Sequence, residues 1–114
     1  MLGVYCGATA SAYDGAQVGG FIGAKSKCET TCGNTNAHMC TAHEMSISRQ
    51  LNISIGSNLW YSSYSFGFQS GNDNTDCAGW SDGTGGTRGP KAYPTPGLPG
   101  NDFCNATLSI ACCL

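Results

Sequence analysis

The sequence predicts an α+β fold, with two helices, short antiparallel strands and long irregular loops, stapled by disulfides. Three observations predict it. Eight cysteines (Cys6, Cys28, Cys32, Cys40, Cys77, Cys104, Cys112 and Cys113) fall in 114 residues of which only 11% are charged. An even cysteine count in a small chain suits oxidation outside the cytosol. Two stretches in the first half carry helical spacing, and short apolar alternations follow, broken by serine, glycine and proline. The length predicts one domain over residues 1–114. A core of this size gains from cross-links, each worth ~2–5 kcal/mol.

Residues 2–6 (Leu-Gly-Val-Tyr-Cys) read as a first strand. The stretch 7–20 is rich in Gly, Ala and Ser, with Asp14-Gly15 as a turn signal. Phe21 to Cys32 reads as a helix, because Phe21, Ala24, Cys28 and Cys32 share one face, and Gly33 is its stop. Thr41-Ala42-His43-Glu44 is a capping box that starts a second helix, with Cys40 and Met45 placed as a staple. Met45, Ile47 and Leu51 give it a partial apolar face, and Asn52 ends it.

Ile53 and Ile55, then Leu59 and Tyr61, then Phe66 and Phe68 suggest short extended pieces. Residues 69–76 are polar and turn-forming, and Cys77-Ala78-Gly79-Trp80 reads as another short strand. Glycine and proline dominate 81–102, a long loop of the kind that carries function. Leu108 to Cys113 reads as a buried closing strand.

Composition narrows the function. The net charge is −2, and Lys25, Lys27, Arg49, Arg88 and Lys91 are scattered, so nucleic acid is not an expected partner. No apolar run reaches the ~18 residues of a membrane span. The first residues lack the basic and apolar regions of a signal peptide, while the cysteines point to export. A mature chain or an excised domain, extracellular or at the cell surface, reconciles the two. Trp60, Trp80, five tyrosines and four phenylalanines need burial, which argues against disorder.

The order of a first strand, two helices, an irregular middle and a cysteine-bearing last strand resembles the C-type lectin-like fold. The words Gly19-Gly20-Phe21-Ile22-Gly23-Ala24, His38-Met39-Cys40-Thr41, Cys77-Ala78-Gly79-Trp80 and Cys104 through Cys113 are similar to bacterial extracellular cysteine-rich domains of that type. The resemblance covers almost the whole chain. It implies a bridge from Cys28 to Cys112 or Cys113, and a second from Cys77 to Cys104. Cys32 with Cys40 is then the expected local bridge, leaving Cys6 for Cys113 or Cys112. Neighbouring residues on a strand face opposite ways, so Cys112 and Cys113 can tie the first helix and the N-terminal strand separately.

Calcium-dependent sugar binders of that family carry Glu-Pro-Asn or Gln-Pro-Asp in the long loop and Trp-Asn-Asp before the penultimate cysteine. Here neither loop motif occurs, and Asn101-Asp102, between Gly100 and Phe103, is half of the last one.

Asn72, Asp73, Asn74 and Asp76 gather side-chain oxygens in one stretch, with Asp82, Asn101 and Asp102 expected to approach from neighbouring loops. Calcium is the cofactor such oxygens would take, with Asp73, Asn74, Asp76 and Asp102 as ligands. A solvated turn is the plain alternative. Asp82, Tyr93, Asn101 and Asp102 are the expected ligand-contacting residues. Most of the aromatics are expected in the core, with Tyr93 and Tyr61 or Tyr64 as exposed stacking candidates.

Cys32, His38, Cys40 and His43 are zinc-ligand types, but their spacing lacks paired knuckles and four other cysteines go unexplained. No nucleophile elbow, complete zincin motif, P-loop or dinucleotide fingerprint occurs, so no enzyme is expected. Asn52-Ile53-Ser54 and Asn105-Ala106-Thr107 match the N-glycosylation pattern. The expected function is an extracellular module that recognises a glycan or a protein surface through residues 69–102. The alternative is a structural subunit that assembles with itself into an oligomer, layer or filament.

Overall fold

Strand β1 (Tyr5–Ala8) starts three residues after the expected start and enters the sheet through an irregular step between Tyr5 and Gly7. A computed structural model describes residues 3–56, 58–63, 76–92 and 99–114. Helix α1 (Gly20–Cys32) buries Ala24 and Cys28 and stops at Gly33, which is left-handed (φ 63°) and donates its N–H to Glu29 O. That is the conformation in which glycine closes helices without a Cβ penalty. Strand β2 (His38–Met39) leads to helix α2 (Ala42–Gln50), where both halves of the Thr41/Glu44 capping box form.

Strand β3 (Leu59–Trp60), helix α3 (Asp76–Trp80), and strands β4 (Arg88–Ala92), β5 (Pro99–Phe103) and β6 (Ser109–Cys113) complete the described elements. The pieces expected at Phe66 and Phe68 lie outside the described residues, and Ile53 and Ile55 belong to no strand.

This arrangement overturns the two-helix, antiparallel layout. The described residues hold three helices, and the six-stranded sheet is mixed, in the order β1-β6-β3-β4-β5 with β2 also on β6. β3 runs parallel to β6, while the remaining named pairs are antiparallel. A parallel pair needs a long connection, and the chain between Trp60 and Ser109 supplies it.

The expected strand at Cys77–Trp80 is instead helical and left-handed. Asp76, Cys77, Ala78, Gly79 and Trp80 all have φ between 52° and 71°. The long loop at 81–102 is likewise replaced in large part by the β4–β5 hairpin, which pairs Arg88 with Phe103 through Ala92 with Pro99. Pro90 is tolerated in β4 because its contact beyond the short β3 is an accepted bond, Tyr61 N–H to Pro90 O at 3.4 Å.

β6 is the centre of the molecule. Its residues alternate between two apolar clusters. Ile110 and Cys112 join Ala24, Cys28, Trp60 and Trp80, whereas Ala111 and Cys113 join Cys40, Met45 and Leu59. The alternation follows from the two-residue repeat of a strand. Trp60 and Trp80 meet edge-to-face at 5.4 Å, and Trp60 Nε1–H donates to Tyr13 O at 2.8 Å.

All eight cysteines are bridged: Cys6–Cys32, Cys28–Cys112, Cys40–Cys113 and Cys77–Cys104. Cys28–Cys112 and Cys77–Cys104 are pairs that the resemblance implied. The local Cys32–Cys40 bridge is not formed, nor does Cys6 reach the C-terminal pair. Cys40 is held against β6 by its N–H bond to Ala111 O (2.9 Å), which leaves Cys113 as its partner. Cys6 sits on β1 opposite the end of α1, where Cys32 stands. With Cys32 and Cys40 both oxidised, neither offers a thiolate, so the zinc reading of Cys32, His38, Cys40 and His43 fails.

Candidate functional site

The β4–β5 hairpin brings several of the expected residues together. Successive residues of a strand face opposite ways, so Asn101 and Asp102 point to different sides of β5. On one side the Arg88 guanidinium donates to Asn101 Oδ1 at 2.8 Å and lies 3.9 Å from the centre of the Phe103 ring. On the other, Lys91 Nζ and Asp102 Oδ2 form an ion pair at 3.0 Å. Asp102 also caps its own strand end by accepting the Phe103 N–H at 2.8 Å.

Gly89, between the two cations, faces inward. A Cβ there would stand 2.9 Å from Cys77 Sγ and 3.0 Å from the Trp80 ring. The absence of that carbon lets the hairpin press directly onto the Cys77–Cys104 bridge and the Trp pair.

Asp82 organises the turn that feeds β4. The Thr84 hydroxyl, the Thr84 N–H and the Thr87 hydroxyl bond its carboxylate and hold it below the ordinary aspartate range, outweighing the opposing effect of burial. Asp76 is fully buried: Ser62 Oγ donates to its Oδ2 at 2.9 Å, and Ser63 N and Oγ donate to its Oδ1 at 3.1 and 2.7 Å. Tyr61, half-buried nearby, has its hydroxyl pushed above the usual tyrosine range by burial and then by the Asp76 charge, against a smaller pull from Arg49.

Asp73, Asn74 and Tyr93, with Asn72 and Tyr64, lie outside the described residues. Among the described residues no group of three or more His, Cys, Asp or Glu side chains is placed to hold a metal ion. Of the expected calcium ligands that are described, Asp76 serves Ser62 and Ser63, and Asp102 serves Lys91. The hairpin cations and Phe103 were not among the expected site residues. In sequence, Arg88 and Lys91 read only as scattered charges. Their spacing to Asn101 and Asp102 has meaning only once the hairpin register is fixed.

A second polar centre ties α2 to the chain ends. Glu44 is 1% exposed. Its carboxylate accepts from the Gly3 N–H, from the Thr41 N–H at 3.0 Å and from His38 Nε2 at 2.7 Å. Burial alone would raise its pKa, but bonds from Thr41, His38 and Gly3, with the His38 charge, together hold it below the ordinary glutamate range. His38 Nδ1 lies 3.0 Å from Asn36 O. Both ring nitrogens are thus engaged, and the pair fastens β2 to α2.

The chain matches no family model, no curated protein and no solved structure. It is a compact, four-disulfide domain of the cysteine-stabilised kind found outside cells. No described helix is long and apolar enough to cross a membrane.

Proposed function

We infer that this is an extracellular, bacterial-type cysteine-rich recognition module, and that the β4–β5 hairpin is its binding face for a glycan or a protein surface. The observation that carries this reading is the Arg88, Asn101 and Phe103 cluster on one side of the hairpin, whose other side, at Gly89, is set against a disulfide and two packed tryptophans. Paired donors and acceptors beside a half-exposed aromatic ring suit a polyhydroxylated or polar ligand. The rigid mount lowers the ordering cost of binding. Asp82 and Tyr93 are proposed as further ligand contacts, Tyr93 lying outside the described residues. Calcium is assigned an assisting role through Asp73, Asn74, Asp76 and Asp102, with the Lys91 and Ser62/Ser63 contacts as its competitors.

The alternative is a self-assembling structural subunit. β5, the last strand in the sheet order among the described residues, carries Pro99 and the ion-paired Asp102. Proline and charge on an edge strand discourage strand addition. This favours recognition over polymerisation through that edge.

The test is a screen of the domain against immobilised glycans and surface proteins, in calcium and in chelator. Binding that Arg88→Ala and Asn101→Ala weaken supports the hairpin face. Binding untouched by both variants rejects that face. No binding, together with concentration-dependent polymers in light scattering, supports the structural subunit. A ligand held equally in chelator removes calcium from the reading.

A further inference from the structure

The sheet order places β1 and β5 at opposite edges. At the β1 edge, away from the hairpin, a groove of about 490 Å³ runs between residues 8–13 and the last turns of α1. That volume falls in the range of small-molecule sites, ~300–1,000 Å³. Ala8, Thr9, Ala10, Ser11 and Tyr13 form one wall, and Lys27, Thr30 and Thr31 form the other. The spacing of Lys27, Thr30 and Thr31 puts them on one face of the helix. The Cys6–Cys32 bridge clamps the strand to the helix at the end of the groove, which holds its two walls at a fixed separation.

The chemistry of the lining is one-sided. Five of the eight residues carry hydroxyls, one carries an ammonium and none carries a carboxylate. Apart from the Tyr13 ring and the Lys27 stem, the apolar groups there are single methyls. The Thr9 hydroxyl is committed, since it donates to Ser11 O at 2.8 Å and accepts the Ile110 N–H at 2.9 Å. Thr30 and Thr31 donate back to Ser26 O and Lys27 O, which leaves their oxygens free to accept. The Ser11 and Tyr13 hydroxyls have no side-chain partner among the described residues. Lys27 Nζ donates to Val18 O at 3.2 Å and lies 5.0 Å from the centre of the Tyr13 ring. An ammonium has three N–H groups, so two remain for a ligand once Val18 O has taken one.

We propose that this groove is a second binding site, for a sugar acid whose carboxylate pairs with Lys27 and whose hydroxyls bond Ser11, Tyr13, Thr30 and Thr31. The site is independent of the hairpin face. A single cation among hydroxyls selects an anion that is also polyhydroxylated, and the Tyr13 ring fixes the cation by holding it against its face. A surface-bound polymer rich in such acids could then engage both edges of one domain.

The experiment is a two-dimensional amide NMR titration with glucuronate, glucose and acetate in parallel. Glucuronate is expected to shift the amides of residues 8–13 and 27–31 in a saturable way, with glucose and acetate each far weaker. Lys27→Gln is expected to weaken glucuronate about ten-fold, the worth of one charge-assisted bond. Tyr13→Phe keeps the ring and its packing and is expected to weaken it by a smaller factor. Arg88→Ala should leave these shifts unchanged, which separates this site from the hairpin. Glucose binding as well as glucuronate overturns the charge requirement, and acetate binding as well overturns the sugar. No saturable shift at residues 8–13 and 27–31 in a folded wild-type spectrum overturns the site.

Discussion

A carboxylate shut away from water persists when its neighbours replace the water, and Glu44 is surrounded by such neighbours. Two backbone N–H groups and His38 supply the donors. Because its folded pKa lies below the unfolded value, Glu44 contributes stability that is present above the unfolded pKa, roughly 4.3, and is lost as pH falls through the folded one. Glu44→Gln is expected to cost about 3 kcal/mol at neutral pH, since an amide cannot accept from all three donors. Urea melts from pH 7 down to pH 3 should therefore converge for wild type and variant at the acid end. Gly89→Ala is a steric counterpart: a Cβ 2.9 Å from Cys77 Sγ and 3.1 Å from the Trp60 ring should destabilise by about 1–3 kcal/mol, read as a lower urea midpoint at unchanged slope. The capping half of the Glu44 story is legible in sequence, because Thr41 and Glu44 stand three residues apart. The contributions of His38 and Gly3 are not, because they arise only when β2 and the N-terminal segment dock beside α2.

Among the elements, α1 and α2 are local structures and their sequences announce them. The Gly33 stop, the capping box and the helix-period apolar positions lie within a few residues of one another. The Asp76–Trp80 turn is the opposite case. Only Gly79 favours a left-handed backbone intrinsically, and each L-residue there costs roughly 1–2 kcal/mol. Distant partners hold it: the bridge to Cys104, the Trp60 ring against Trp80, and Ser62 and Ser63 on Asp76. No local pattern in Cys77-Ala78-Gly79-Trp80 can report those contacts, which is why an extended reading fails there. Ala78→Gly is expected to raise stability by about 0.5–1 kcal/mol, the left-handed penalty relieved less the added freedom of the unfolded chain. A thermal melt of the oxidised protein measures it, and a loss of stability would mean that the turn is not left-handed in solution. The hairpin was equally hidden, since glycine and proline in 81–102 mask strands whose pairing is set by register.

Over the whole molecule, the disulfides divide the work by loop length. Cys28–Cys112 closes 84 residues and Cys77–Cys104 closes 27. With Cys40–Cys113 intact, the covalent path from Cys28 to Cys112 runs only through residues 28–40 and the 113–112 step, so chain-entropy arguments make that bridge worth about 3 kcal/mol and Cys77–Cys104 about 3.5 kcal/mol. Replacing Cys28 and Cys112 with alanine should therefore lower the unfolding free energy no more than replacing Cys77 and Cys104, despite the longer sequence separation. Chemical denaturation of the two double variants compares them directly. A non-reducing peptide map should also place Cys112 and Cys113 in one peptide joined to both Cys28 and Cys40.

β1 and β6 lie side by side, with Val4 and Leu114 exchanging backbone hydrogen bonds at 2.9 and 3.1 Å. Tension applied across these two strands would first unzip that pair and then meet a covalent shortcut: Cys6 to Cys32, back along the helix end to Cys28, and across to Cys112. Stretched taut, the shortcut spans about 25 Å, against roughly 400 Å for the bare chain. Pulled across β1 and β6, the domain would give up little length and behave as a nearly inextensible link.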